Sequence, residues 1–332
     1  MENSLGQDTR QTGHDPIANE NTSLSQALQA LEVIYSPNSS NDSRRDATIY
    51  LEQAKTHPQA PAAGFQLALS SDHVPHVRHY GLTILDHAAK YQWQDYDSQQ
   101  RQTIRHWILQ LARNVDPQQP VFLRNKIAQL WVEVAKKCWL SEWDDFDERL
   151  QELWAMSGAH QEVVLHLLET LSEDVFSTKD PAGAGRDTDL GAACVAIFTE
   201  EKVLDQAPSS RANTFSVRHG SDGWLKRVMQ QLTRWLNDAA HNTGSTFSCF
   251  IRAFALLRSA MTWVMLRSVS NLHCVLAFCS YLSLASNVEI RLVCPVILYA
   301  SNNRPVALII LSRVPLSVFM RFIIDPTMVT VE

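Results

Sequence analysis

His73, His76 and His79, with His87 further on, form the densest group of metal-capable side chains in the sequence. A spacing of three puts His76 and His79 on neighbouring parts of one helix face, a geometry that could hold zinc. No cysteine stands nearby, and no acid takes the general-base place of an HExxH motif. The four are therefore read as exposed or capping histidines, with neither metal nor cofactor. Asp144, Asp145, Asp147 and Glu148 invite a second chemistry, that of paired carboxylates exchanging protons. At the start of a helix they are better explained by attraction to its free amide groups and by a solvated acidic face.

Gly183-Ala184-Gly185 and Gly220-Ser221-Asp222-Gly223 are the only candidates for phosphate loops. Neither follows a strand or ends in Gly-Lys-Ser/Thr, so both read as loop or cap glycines. A G-x-S-x-G elbow is absent, and no cysteine and histidine form a convincing nucleophilic pair. With its pieces missing, catalysis is not expected.

Nucleic-acid binding would need aromatic platforms interleaved with basic residues. Arg101, Arg105, His106 and Trp107 make one modest patch, and Arg124, Lys126, Lys136 and Lys137 a second. The structural reading takes Trp107 into the core and the charges to solvent. Lys and Arg number 29 against 35 Asp and Glu, a net charge of -6. That balance argues against broad phosphate-backbone binding while leaving room for an inner basic face. Six cysteines, at 138, 194, 249, 274, 279 and 294, mostly lie in apolar helical sequence. The polar start MENSLGQDTR has no signal-peptide character, so the thiols read as reduced core groups in a nuclear or cytosolic protein.

The elements that must position these residues are helices. Up to about residue 270 no run alternates as a strand would, and helix-period segments follow one another with short breaks. Helices are predicted over about 22–36, from an Asn41 or Asp42 cap to 56, over 62–70, from an Asp72 cap over 74–92, and over 97–113. Further ones are predicted over 121–139, from Trp143 through Trp154, and over 160–177, 190–204, 222–240 and 246–267. In the helix over 74–92 the buried stripe is expected to be Val77, Tyr80, Gly81, Ile84, Leu85, Ala88 and Tyr91. Each helix pair carries an apolar face that it cannot bury alone, so neighbouring pairs must stack and share a core. Several of the nine tryptophans stand near helix ends, where a ring can seal the join between pairs.

Past residue 268 the pattern changes. Apolar runs such as Val306-Ala307-Leu308-Ile309-Ile310-Leu311 lose amphipathy, and the charges thin to Glu289, Asp325, Glu332, Arg291, Arg304, Arg313 and Arg321. Arg313, Pro315 and Arg321 interrupt the one candidate membrane span, and no run of about 18 apolar residues survives. Membrane insertion is not expected.

The segment His76-Val77-Arg78-His79-Tyr80-Gly81-Leu82-Thr83-Ile84-Leu85-Asp86-His87, followed by Tyr91-Gln92-Trp93, resembles the early helix of nuclear transport receptors of the importin-beta superfamily. Phe122-Leu123-Arg124-Asn125-Lys126-Ile127-Ala128-Gln129-Leu130, followed by Trp139-Leu140-Ser141-Glu142-Trp143-Asp144-Asp145-Phe146, resembles the exportin fingerprint. The proline usual in that link is missing, with Leu140 or Ser141 in its place. Glu173-Asp174-Val175-Phe176, His219-Gly220-Ser221-Asp222-Gly223-Trp224-Leu225 and the stretch from Ala253 to Val264 with Trp263 extend the likeness over about 22–267. Within the superfamily the chain is most similar to the exportin-5 group, including its fungal MSN5-type form.

The resemblance implies an all-α solenoid of HEAT-type helical repeats and a nuclear export receptor, or karyopherin. It implies a disordered polar terminus over 1–21, importin-beta-like repeats over 22–115, exportin-1-like repeats over 116–267, and an atypical tail over 268–332. Such a tail is what an erroneous gene model, a retained intron or a frame change would leave on the amino-terminal part of a longer receptor. Implied partners are Ran-GTP, nuclear pore proteins and a cargo: protein, phosphorylated ones included, or structured small RNA such as tRNA and pre-microRNA. The receptor would shuttle between nucleus and cytoplasm. The runner-up is a helical-repeat scaffold without Ran-dependent transport. Arg78, Gly81, Leu85, His87, Trp93, Arg124, Asn125, Lys126, Trp139, Trp143, Phe146, Trp224 and Trp263 are the fingerprint residues, expected to be structural; the Ran contacts have no motif of their own.

Overall fold

A computed structural model describes residues 16–176, 187–201, 217–237 and 244–260. Among them no strand occurs, and the chain separates into two compact units, divided between Asp97 and Ser98.

The first unit begins with α1 (Pro16–Tyr35) and α2 (Asn41–Ala54), which pack on one another. Helix α1 starts at Pro16, before the start at about residue 22 that the periodicity predicts. Proline suits the first helical position, where its missing N–H would have no partner anyway. Ser40, not Asn41 or Asp42, caps α2, its Oγ accepting from the Ser43 amide at 3.1 Å. Helices α3 (Ala60–Leu69) and α4 (Pro75–His87) form the tightest pair of the unit. Val74 and Pro75 start α4 without a side-chain cap; Asp72 does not serve.

Two glycines allow the closeness of α3 and α4. A Cβ added to Gly81 would stand 2.4 Å from the Gly64 carbonyl oxygen and 2.7 Å from the Ala68 nitrogen, contacts that only a glycine backbone tolerates. Ala27, Leu31, Leu51, Ala60, Leu67, Val77, Tyr80 and Ile84 fill the space among the four helices. The Tyr80 hydroxyl, buried among them, donates to the Leu51 carbonyl at 2.9 Å and so ties α4 to α2.

Helix α4 does not run on regularly to residue 92. A π turn over Ala88–Gln92 and a 3-10 turn over Trp93–Asp95 follow it. The extra residue per π turn rotates the buried stripe. Tyr91, expected inside, is 74% exposed, and Trp93 takes the inner place at 2%.

The second unit runs through α5 (Ser98–Arg113), α6 (Val121–Glu142), α7 (Phe146–Met156), α8 (Gly158–Phe176), α9 (Asp187–Phe198), α10 (Trp224–Asn237) and α11 (Gly244–Ala260). Helix α8 is its centre: α5, α6, α7, α9 and α11 all pack against it. Its apolar residues from Val163 to Leu171 are almost wholly buried, which explains why its sequence reads apolar on more than one face. Helix α9 begins at Asp187 rather than at about residue 190, and the Gly183-Ala184-Gly185 stretch, Trp263 and the tail lie outside the described residues.

Gly81→Ala is expected to lower stability by about 1–3 kcal/mol, because overpacking against backbone cannot relax. Gly191→Ala, whose Cβ would meet only the Phe176 ring at 3.8 Å, should be neutral or raise stability by up to ~1 kcal/mol through helix propensity. Equal melting temperatures for the two variants would contradict the close approach of α3 and α4.

Candidate interaction surface

The residues singled out in the sequence divide into those that pack and those that bind other parts of the chain. In the first unit Leu85 is fully buried and the Arg78 Nε donates to the Ala68 carbonyl at 3.0 Å, satisfying the end of α3. His87 lies against the Tyr91 ring, centroids 5.0 Å apart, and His76 against Tyr35 at 4.1 Å. No group of three or more His, Cys, Asp or Glu converges on a metal-sized site among the described residues.

In the second unit the aromatic fingerprint is one cluster. Trp131 and Trp143 stack with planes 3° apart and centroids at 5.5 Å, and Phe146 stands edge-on to both. Trp139 closes the group, 4.7 Å from Phe146. Helix α6 continues through the position of the absent proline to Glu142, and Trp143, at φ -130° and ψ 62°, turns the chain into α7. A second ladder continues from Trp154 to Trp224 at 5.6 Å and to Trp235 at 6.4 Å, then from Trp235 to Phe250 at 5.5 Å, joining α7, α10 and α11.

Several of the basic residues weighed for phosphate binding are engaged by acids and carbonyls of the chain itself. Arg124 is buried, pairs with Glu162 of α8 at 2.9 Å, and donates to the carbonyls of Pro117 and Gln119 in the loop before its own helix. The two side chains are only 8% and 4% exposed, so each charge depends on the other. Asn125 accepts from Arg252 of α11 at 2.8 Å, and Arg252 also reaches His166 at 3.1 Å and Glu169 at 3.3 Å. Lys126 is half-buried beside them. Arg101 and Arg105 converge on Glu142, where Arg105 also donates to the last carbonyl of α6, and Lys136 pairs with Asp174 at 2.7 Å. Trp107 is half-buried rather than sunk in the core, and the charges beside it are spent on ion pairs rather than left to solvent.

The acidic run is the clearest correction. Asp145 pairs on the surface with Arg149 at 2.7 Å, as a solvated face would, but Asp147 is only 2% exposed. Its carboxylate accepts from the Trp224 indole at 2.6 Å, from the His219 amide and from the Gln151 side chain at 3.2 Å. Sequence reasoning missed this role because two of the partners, His219 and Trp224, lie more than seventy positions away. It also missed Arg218, which is buried and donates to the Ala196 carbonyl at 3.1 Å and the Thr199 carbonyl at 2.6 Å, at the end of α9. A charge within an otherwise apolar helix was the available signal for Glu162; Arg218 carried none. The thiols of Cys138 and Cys249 are buried, and burial pushes them up to about 11 and about 12, so neither is a nucleophile at neutral pH.

Residues 26–113 match the importin-beta N-terminal domain, and residues 120–194 match the exportin 1-like protein family. The chain is 30% identical over 258 residues to protein MSN5 of Saccharomyces cerevisiae, a match covering 74% of this chain and 21% of that protein. It is 28% identical over 167 residues to exportin-5 of Homo sapiens, covering 48% of this chain and 14% of that one. Exportin-T of Mus musculus is 27% identical over 157 residues, with 44% and 16% covered. The chain thus spans about a fifth or less of the length of these relatives.

Replacing Trp139, Trp143 or Phe146 by Ala should each destabilise the second unit by about 3–5 kcal/mol. Unchanged thermal melting in all three would contradict the packing role of the cluster. A pH effect follows from Asp147, whose carboxyl burial pushes above its ordinary value, against the opposing pull of the His219 amide, the Trp224 indole, Arg227 and Gln151. An acid raised on folding contributes stability below its unfolded pKa and loses that contribution as pH rises through the folded value. Relative to Asp147→Asn, which does not titrate, the wild-type chain should therefore gain stability as pH falls from neutral into the acid range. A stability difference that stays flat, or runs the other way, in denaturant titrations would contradict the assignment.

Proposed function

Because the chain belongs to the importin-beta superfamily, with the HEAT-type helical-repeat fold of that group, we propose that it works as a nuclear export receptor. The observation that carries the proposal is the order of the two matched segments in one chain, an importin-beta N-terminal domain over 26–113 followed by an exportin 1-like segment over 120–194. On this reading the chain binds Ran-GTP and a cargo, passes nuclear pore proteins and shuttles between nucleus and cytoplasm. Its polar side chains support a binder rather than a catalyst, since the carboxylates, histidines and thiols traced above serve its own packing.

The cargo is proposed to be protein, structured small RNA, or both, as the names exportin-5 and exportin-T in two relatives and the resemblance to the fungal MSN5-type form suggest. Arg101, Arg105, Arg124 and Lys136 are engaged by Glu142, Glu162 and Asp174, which leaves them poorly disposed to bind phosphate. The repeats are proposed to divide as 22–115 and 116–267, with 268–332 apart from them. No described helix is long and apolar enough to cross a membrane.

Immobilised Ran, locked in its GTP or GDP form, provides the test. Retention of the receptor carrying this segment by the GTP form alone is the expected result, strengthened by added cargo of the right class. Equal retention by both forms, or none by either, would favour the helical-repeat scaffold without Ran-dependent transport.

A further inference from the structure

Residues 217–223, between α9 and α10, form a short non-helical strap, with a single 3-10 position at Val217. His219, Gly220 and Ser221 are exposed, so apolar burial contributes little there. The strap is fastened by polar bonds instead. Asp147 of α7 accepts the His219 amide near one end and the Trp224 indole just past the other. Gln151, one turn further along α7, donates to the His219 carbonyl at 3.0 Å, and Arg227 of α10 donates to the same oxygen at 3.1 Å. Ser221 accepts from the Glu201 amide at 3.0 Å, and Arg218 pins the strap to the end of α9.

Two backbone features let it close. Gly220 has a φ of 82°, the left-handed region that side chains avoid. Gly223 lies so near α9 that an added Cβ would be 2.4 Å from the Phe198 carbonyl oxygen and 2.5 Å from the Thr199 carbonyl carbon. The middle of the strap is held by exposed bonds, from Gln151 and Arg227 to the His219 carbonyl, and a stretch held in that way opens locally at lower free energy than packed helices, while the buried bonds of Asp147 and Arg218 hold its two ends.

We propose that residues 217–223 are a releasable strap, keyed by the Asp147 carboxylate, that fastens the start of α10 to α7 and α9 and opens as a unit while the α6–α8 core stays closed. Opening frees the Trp224 indole from its acceptor and loosens the junction on which α10 turns. The strap is thus the conformational hinge of the second unit. Closure is set from two independent sides, acceptance by Asp147 and the absence of a Cβ at Gly223.

Hydrogen exchange followed by mass spectrometry on the full chain tests this with two unrelated variants, Asp147→Asn and Gly223→Ala. Each should speed exchange in peptides covering 217–226 by about tenfold or more, while peptides from α6 and the centre of α8 exchange as in the wild type. Gly191→Ala, in α9 but outside the close contact, should change neither region. Unaltered exchange over 217–226 in both variants would overturn the proposal. So would acceleration spread evenly over α6, α8 and the strap, because Asp147 and Gly223 would then be ordinary core positions and the strap no separate unit. Should Gly223→Ala fail to fold, Asp147→Asn alone decides by the same two readings.

Discussion

A helix enclosed on several sides can keep a polar side chain only if another group answers it, because an unpaired buried charge or donor loses its water without replacement. Helix α8 is in that position. His160 takes Ser157 on one ring nitrogen and the Arg113 carbonyl on the other, at 2.7 and 3.1 Å. Glu162 takes Arg124, Glu169 takes Arg252 and lies 3.2 Å from His166, and the Ser172 hydroxyl meets that of Ser259 at 2.7 Å. Arg113, Arg124, Arg252 and Ser259 come from α5, α6 and α11, so these bonds set the register of three neighbours against the same central helix. Removing one side of the Arg124–Glu162 pair would strand a charge at a cost of about 3–5 kcal/mol, whereas an apolar pair of similar volume could replace both. The pair therefore fixes which helix meets which more than it adds to net stability.

The same logic governs the helix ends. The last carbonyls of a helix have no internal partner and carry the negative end of its dipole. In the first unit Arg44 reaches the Ser36 carbonyl beyond α1 at 2.7 Å, and Arg78 reaches Ala68 near the end of α3. In the second, Arg105 serves α6, His160 serves α5 and Arg218 serves α9. Cations that composition alone would offer to a phosphate backbone are thereby drawn into joining successive helices. A repeat protein gains from this arrangement, since the junctions between its pairs are where backbone groups would otherwise be left bare.

Much of this was legible beforehand, and the reasons are local. Ile104, Ile108, Leu111 and Ala112 recur at helical spacing and are buried, and Leu123, Ile127, Leu130 and Val134 do the same in α6. Gly81 within an apolar stripe signalled close helix packing, which its contact with Gly64 explains. Where reasoning failed, a distant partner or a change of helical phase was responsible. Tyr91 continues the 3.6-residue pattern of α4, yet the π turn carries it out to solvent and brings Trp93 in. Asp147 sits in a run of acids of which Asp145 behaves as expected; only the approach of His219 and Trp224 separates the two.

The sequence by itself determined the helical class, the order of the helices, the packing role of Trp139, Trp143 and Phe146 and the family to which they belong, because apolar periodicity and short motifs are properties of neighbours along the chain. Tertiary structure decided which charges are spent. Asp147 and the bases at 101, 105 and 124 read as surface groups until folding brings up a carbonyl, an indole or an opposite charge from a helix far away in sequence. Pairing over such separations depends on how helices stack, and no residue's own type or spacing encodes it.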